Sequence, residues 1–233
     1  RHFEKALELD PEYASAFAGL SVSFGHEYWG NWSNARDEAL ERAYSLAQTA
    51  VALDETDGQA LYALAGACYY RDQHELAEVH INKAIELNPN DYHNVCMKIF
   101  LLAATDRSSE SISCATESVR LNPLAPDHCY FGIGIAEYVD GRYEEALAAF
   151  GKVVGWGLLR PAWIAACYAQ LGQDDQARAA ASEVRGLAPT DPGVPDEDEI
   201  ERWQAYWTRV SKFKDPEHRK RFFEGLRKAG LPA

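Results

Sequence analysis

The chain has 233 residues, 47% of them apolar, which is enough for a continuous core and fits one or two ordinary domains. Its net charge of −13 argues against nucleic acid, which needs a basic surface, and against an anionic membrane. No apolar run approaches the ~18 residues of a spanning helix, and Arg1-His2-Phe3-Glu4-Lys5 opens straight into a helical pattern rather than a signal peptide.

Arg1 to Leu9 reads as a lone helix, with Phe3, Ala6 and Leu7 at helical spacing. The helix that should precede and pair with it is missing, so the chain is expected to be cut from a longer protein. It ends on Ala6-Leu7-Glu8-Leu9-Asp10-Pro11, and variants of that phrase recur. They are Ala50-Val51-Ala52-Leu53-Asp54-Glu55, Ala84-Ile85-Glu86-Leu87-Asn88-Pro89-Asn90-Asp91, Ser118-Val119-Arg120-Leu121-Asn122-Pro123 and, more loosely, Val184-Arg185-Gly186-Leu187-Ala188-Pro189. Asn88 and Pro89 stop a helix, because the residue before a proline is pushed out of the α region. Asp91 then caps the next helix. Leu53 to Leu87 is 34 residues, and Leu87 to Leu121 is again 34. That period marks a helix-turn-helix repeat array of the tetratricopeptide type, in which each unit packs on its neighbours.

The first complete unit carries Phe17, Leu20 and Phe24 as its apolar stripe. It spans 44 residues from Leu9 to Leu53, ten more than the period. The excess falls around Gly25 to Asn34, where both helices are expected to run about a turn longer, with Ser33 as a cap. Trp29 and Trp32 there serve either as ligand contacts or as packing. In the second unit Leu61, Leu64 and Ala65 face Ala77, Ile81 and Ala84, and Asp72 and Glu75 have capping-box spacing. The third unit is degenerate, with Lys98 and Ser111 at positions usually apolar or small and a loop-like polar run from Asp106 to Ser111. In the fourth, Tyr130, Ile133 and Gly134 precede the Asp140-Gly141 turn, and Ala146 and Phe150 match the repeat pattern. Gly155-Trp156-Gly157 breaks that helix. The fifth runs from Pro161 through the Leu171-Gly172 turn to Val184. An acidic, proline-rich linker, Thr190 to Asp198, leads to a stripe of Ile200, Trp203, Trp207 and Val210. Asp215-Pro216-Glu217 then starts a last helix carrying Phe222, Phe223 and Leu226 and ending at Gly230.

The expected fold is therefore all-α, a right-handed solenoid of paired helices with C-terminal capping helices. Residues 1–11 are the second helix of a truncated repeat, 12–189 an array of about five repeats, 190–199 a linker, and 200–233 the capping helices.

Chemistry-bearing patterns are sparse. The five cysteines, Cys68, Cys96, Cys114, Cys129 and Cys167, are widely spaced with no C-x-x-C, and fit small buried packing residues in a reducing cytoplasm. No two of the seven histidines stand four apart on a helix, and none sits in a metal-ligand pattern. His128 and Cys129 are adjacent, so on a helix they diverge. There is no glycine-rich phosphate loop and no G-x-S-x-G. The acidic pairs Glu144-Glu145 and Asp174-Asp175 open helices, where they complement the helix dipole. No catalytic residue, cofactor or metal is expected.

What remains is surface. The first helix of each repeat lines a concave groove. The residues off its packing stripe are Gln59, Tyr62, Tyr69, His93, Cys96, Phe100, His128, Phe131 and Tyr138, an aromatic and nearly uncharged set. Rings in a groove suit an apolar or extended peptide or a partner helix, or else they pack between repeats or beneath the C-terminal helices. No lysine and asparagine clamp for a terminal carboxylate stands among them.

Several phrases together carry a narrower resemblance: Leu9-Asp10-Pro11-Glu12-Tyr13-Ala14, Leu87-Asn88-Pro89-Asn90-Asp91, the run from Ala169 to Ala179, and above all Phe223-Glu224-Gly225-Leu226-Arg227-Lys228-Ala229-Gly230-Leu231-Pro232. The chain resembles the C-terminal tetratricopeptide region of bacterial proteins similar to class III adenylate/guanylate cyclases. The resemblance implies an upstream cyclase domain, or in some relatives a DNA-binding one, and a natural C-terminus near Ala233. It carries no catalytic residue into these 233 positions. The expected function is a non-catalytic interaction module, the regulatory or scaffolding region of a larger signalling protein. It would bind a protein segment or its own N-terminal domain. The alternative is a homodimerising module that brings two upstream domains together.

Overall fold

A computed structural model describes residues 1–30, 35–122, 124, 127–188 and 200–233. Among the described residues there are thirteen α-helices and no strand. They are α1 (His2–Leu9), α2 (Ala14–Gly30), α3 (Arg36–Leu53), α4 (Gly58–Tyr70), α5 (His74–Leu87), α6 (Tyr92–Ala104) and α7 (Ser108–Leu121). There follow α8 (Asp127–Val139), α9 (Tyr143–Phe150), α10 (Leu159–Gln170), α11 (Asp174–Leu187), α12 (Ile200–Val210) and α13 (Pro216–Lys228). The chain forms two compact units, Arg1–Leu101 and Leu102–Ala233.

In the first unit the recurring phrase acts as a stop and a start. Helices α1, α3 and α5 end at Leu9, Leu53 and Leu87, and Asp10, Asp54 and Asn88 then turn to extended backbone, with φ of −139°, −147° and −142°. Three residues after Asp54 and Asn88, a second carboxylate takes over. Asp57 Oδ1 accepts from the Gln59 and Ala60 amides, and Asp91 Oδ1 accepts from His93 N at 2.9 Å. Each such cap satisfies amides that have no partner inside the helix.

The other joint in each pair is a different device. Asp72, Asp106, Gly141 and Gly172 occupy one equivalent position with φ of 59°, 61°, 77° and 72°. The next amide in each case bonds back to a first-helix carbonyl: Gln73 to Cys68, Arg107 to Leu102, Arg142 to Glu137 and Gln173 to Tyr168. This corrects the capping box at Asp72 and Glu75. Asp72 is the left-handed terminator of α4, a conformation aspartate tolerates, and Gln73 is the N-cap of α5 with no side-chain cap bond. The polar run from Asp106 is likewise helical from Ser108, and Ser108 and Ser111 are buried. Helix α9 stops at Phe150, before Gly155.

Helices α2 and α3 span 17 and 18 residues, against 13 and 14 for α4 and α5, about one extra turn each. Trp32 and Ser33 lie outside the described residues, as does the acidic linker. The core of this unit is alanine-rich: Ala47, Ala50, Ala60, Ala65, Ala77 and Ala84 surround Leu61, Leu64 and Ile81. Small residues let the helix axes approach; the few large ones supply most of the apolar burial, about 1.5–3 kcal/mol each.

The second unit has an aromatic interior. Phe131, Tyr138, Phe150, Trp163, Trp207, Phe213 and Phe222 are all buried there. Helix α13 begins on an Asp215 cap with Pro216 in its first turn. It packs chiefly on α10, the first helix of the last pair, rather than on α11. The tail is pinned by Trp207 Nε1, which donates to the Pro232 carbonyl at 2.8 Å.

Candidate docking groove

The first helices α4, α8 and α10 can be aligned by the left-handed residue that follows each. Positions nine, six and two residues before it are Ala63, Gly66 and Tyr70 in α4, and Trp163, Ala166 and Gln170 in α10. In the first unit these positions border a concavity, Ala63 itself being buried. Ala63, Gly66 and Tyr70 line a concavity of about 400 Å³, counting the space open to solvent, together with Ser21, Val22, Gly25 and His26 of α2 and Met97 of α6. Tyr28 packs on Tyr70, with the ring centroids 5.5 Å apart.

In the second unit the same positions are covered by α13. Phe222 stacks on Trp163 at 4.1 Å between centroids. A Cβ built on Gly225 would stand 3.0 Å from Ala166 Cβ. Gln170 Nε2 donates to the Arg221 carbonyl at 2.8 Å, Tyr138 donates to the same carbonyl at 3.2 Å, and Arg221 Nη2 donates to the Val139 carbonyl at 2.8 Å. The start of α13 is seated by Lys214 N on the Ala104 carbonyl at 2.8 Å and by His218 Nε2 on Asp106 at 2.6 Å.

Asp106, Asp215 and His218 bring ligand atoms within 4.8 Å of one another. Their donors are already committed. His218 meets Asp106 through Nε2 and Arg221 through Nδ1, and Asp215 Oδ1 caps Glu217 N. A guanidinium at the rim opposes a cation, so the group reads as a latch for α13.

The residues singled out from sequence divide in the same way. Gln59, Tyr62 and His93 come together around Asp91. Gln59 Nε2 donates to Asp91 Oδ2 at 3.1 Å, His93 Nδ1 is 3.4 Å from Asp91, and the rings of Tyr62 and His93 meet edge-on at 6.2 Å. Tyr69 is half-buried against Tyr70 and His74, and Phe100 is half-buried. His128 is exposed and meets Trp156 edge-on at 5.0 Å. Phe131 and Tyr138 are corrections. Phe131 is 2% exposed, stacked flat on Trp156 at 4.1 Å, and Tyr138 is 0% exposed beneath α13. Neither is open surface, and Cys96 is buried as well. Sequence reasoning missed Tyr70, Gly25 and Gly66. A glycine in mid-helix on the groove side was the signal available for the last two.

Burial sets the electrostatics. It pushes the Tyr62 hydroxyl up, with Cys96 and Asp91 adding to it, and raises Tyr69, Tyr70 and Tyr138 further. The Cys68 thiol is pushed up to about 11 by burial, and Cys167 higher still, so neither offers a thiolate at neutral pH. The tyrosine shifts have a defined sign. The folded chain keeps protons that the unfolded chain releases near pH 10. This contribution to stability is complete below pH 10 and is lost as pH rises through the folded values. Absorbance at 295 nm should show these hydroxyls still protonated when exposed tyrosines have titrated, and releasing only as the chain unfolds. Full ionisation near pH 10 with the helix content intact would contradict this.

Residues 58–91 match the tetratricopeptide repeat family. A protein of Rhizobium meliloti (strain 1021) named putative adenylate cyclase 3 is 33% identical over 78 residues, which is 34% of this chain and 13% of that protein. A tetratricopeptide-repeat protein of Thermus thermophilus has a TM-score of 0.63 at 17% identity, over 84% of this chain and 98% of that one. Another, from Parabacteroides merdae ATCC 43184, has a TM-score of 0.60 at 15% identity, over 98% of this chain and 90% of that one. Among the described residues no helix is long and apolar enough to cross a membrane.

Proposed function

We propose, from an all-α chain of tetratricopeptide fold whose residues 58–91 are one such repeat, that this region is a non-catalytic docking module of a larger bacterial signalling protein related to adenylate cyclases. The fold itself supports protein binding. The observation that carries the reading is the open concavity of the first unit, set beside the same helix positions filled by the chain's own helix in the second. The working surface is Gln59, Tyr62, Tyr69, His93 and Phe100 with the Tyr70 and Gly66 floor. Exposed His128 and half-buried Trp156 form a separate edge in the second unit. Aromatic walls without Lys or Arg suit a protein segment, whether from a separate protein or from an upstream domain of the same one. The match to a putative adenylate cyclase points the regulation toward nucleotide cyclisation.

The test joins this chain to its native upstream sequence and measures cyclic nucleotide formation. Tyr62→Ala with His93→Ala should change that activity about fivefold or more. The 233-residue chain alone should form none. Unchanged activity in a variant with native circular dichroism would remove the reading.

A further inference from the structure

We infer that the open groove of the first unit takes a basic amphipathic helix that brings its own large apolar anchor, an inference that rests on the docking role just proposed. The second unit shows what covers these positions. Where Trp163, Ala166 and Gln170 stand, α13 lays Phe222, Gly225 and the Arg221 carbonyl. The first unit repeats the three positions as Ala63, Gly66 and Tyr70, and all three line its concavity. The change from Trp163 to Ala63 removes an indole from the wall. An occupant of the first groove must therefore fill that space with a bulky side chain of its own.

The glycines point the same way. Glycine in mid-helix is less stable than alanine unless something needs the missing Cβ. At Gly134 and Gly225 something does: an added Cβ would stand 2.5 Å from Phe150 and 3.0 Å from Ala166. At Gly25 and Gly66, both facing the concavity, nothing lies within 4 Å. Those two leave a bare strip of helix backbone on α2 and α4, the surface that a second helix approaches most closely. Gly66 is also the position equivalent to Ala166, against which Gly225 of α13 packs.

Charge chooses the kind of helix. Residues 1–101 hold seven Lys and Arg against sixteen Asp and Glu, a net of −9. Asp91 stands near Tyr62, which lines the concavity. From Lys212 to Lys228, by contrast, the seated segment of the second unit holds seven Lys and Arg against three Asp and Glu, a net of +4. The helix seated on the second unit thus carries net positive charge, and the first unit, at −9, offers a field of the opposite sign to such a helix.

The probe is a fluorescein-labelled synthetic peptide of the chain's own Lys214–Ala229, titrated with the full 233-residue chain and read by anisotropy. Saturable binding is expected. It should weaken about tenfold with Gly66→Leu or Gly25→Leu, and about tenfold for a peptide whose five Lys and Arg from Arg219 to Lys228 are Glu. Gly66→Ala should raise the melting temperature by about 2 °C, since it fills empty space on a helix. The same substitution should weaken the peptide, a combination that a purely structural glycine does not produce. Binding indifferent to both leucine variants would mean that the peptide replaces α13 on the second unit, and the inference falls. If the charge-reversed peptide binds through Gly66 and the basic one does not, the docking role stands and this occupant is wrong. If no peptide depends on Gly66 or Gly25, both fall. Gly66-dependent self-association of the chain without peptide would make the occupant a second copy and would also overturn it.

Discussion

Replacing Phe222 with alanine should cost the second unit about 3–5 kcal/mol and release α13 from its seat. Phe222 is 0% exposed, stacked on Trp163 and edge-on to Tyr138 and Trp207 at 6.2 and 6.1 Å. The rings around it are held by their own hydrogen bonds, Tyr138 to the Arg221 carbonyl and Trp207 to the Pro232 carbonyl. They are poorly placed to collapse into the space, so the loss lies toward the upper end. What remains at the helix is Leu226, buried one turn further on, and a set of polar contacts: His218 on Asp106, Arg221 on Val139 and Lys214 on Ala104. Water replaces such bonds at small net cost, about 0.5–1.5 kcal/mol each. Phe222→Ala should therefore lower the melting temperature, shift tryptophan emission to the red and open residues 211–233 to chymotrypsin. His218→Ala, which removes only the half-exposed latch, should cost about 1 kcal/mol or less. Equal effects of the two substitutions would show that the latch, not the ring stack, seats the helix.

The same contacts mark what the sequence could and could not reveal. The phrase at Leu53, Leu87 and Leu121 gave the repeat and its helix ends, because a stop and a cap are local: Asp54 and Asn88 leave the helix, and Asp57 and Asp91 begin the next. The turn at Asp72 misled, since aspartate serves both as a cap and as a left-handed terminator, and only the backbone distinguishes them. Tyr138 and Phe131 lie on the helix face that faces a groove elsewhere in the chain. Tyr138 is buried by a helix 83 residues away, Phe131 by the Trp156 loop. No pattern within a repeat announces either partner. Conversely, Gly66 matters because an added Cβ there would meet nothing within 4 Å, and beyond a glycine in mid-helix the sequence does not announce such open space.

The alanine frame of the first unit predicts the other large effect. Leu61→Ala should destabilise it by about 4 kcal/mol, high in the range for leucine truncation. The usual relief for such a change is a neighbouring side chain that swings into the gap. Here most of the buried cluster around Leu61 is alanine: Ala47, Ala50, Ala60, Ala65, Ala77 and Ala84. An alanine has no rotamer to offer, so the cavity closes only if a helix moves. Ser21 resists that by donating to the Ala43 carbonyl at 2.7 Å, and so does Asn94 by donating to the Ala84 carbonyl at 3.3 Å. Amide exchange should speed up across α3, α4 and α5. Leu61→Met, which keeps the volume, should cost less than about 1.5 kcal/mol. A Leu61→Ala loss as small as that of Leu61→Met would mean that the helices slide together freely, and the groove floor formed by α4 would then be softer than a preformed docking surface requires.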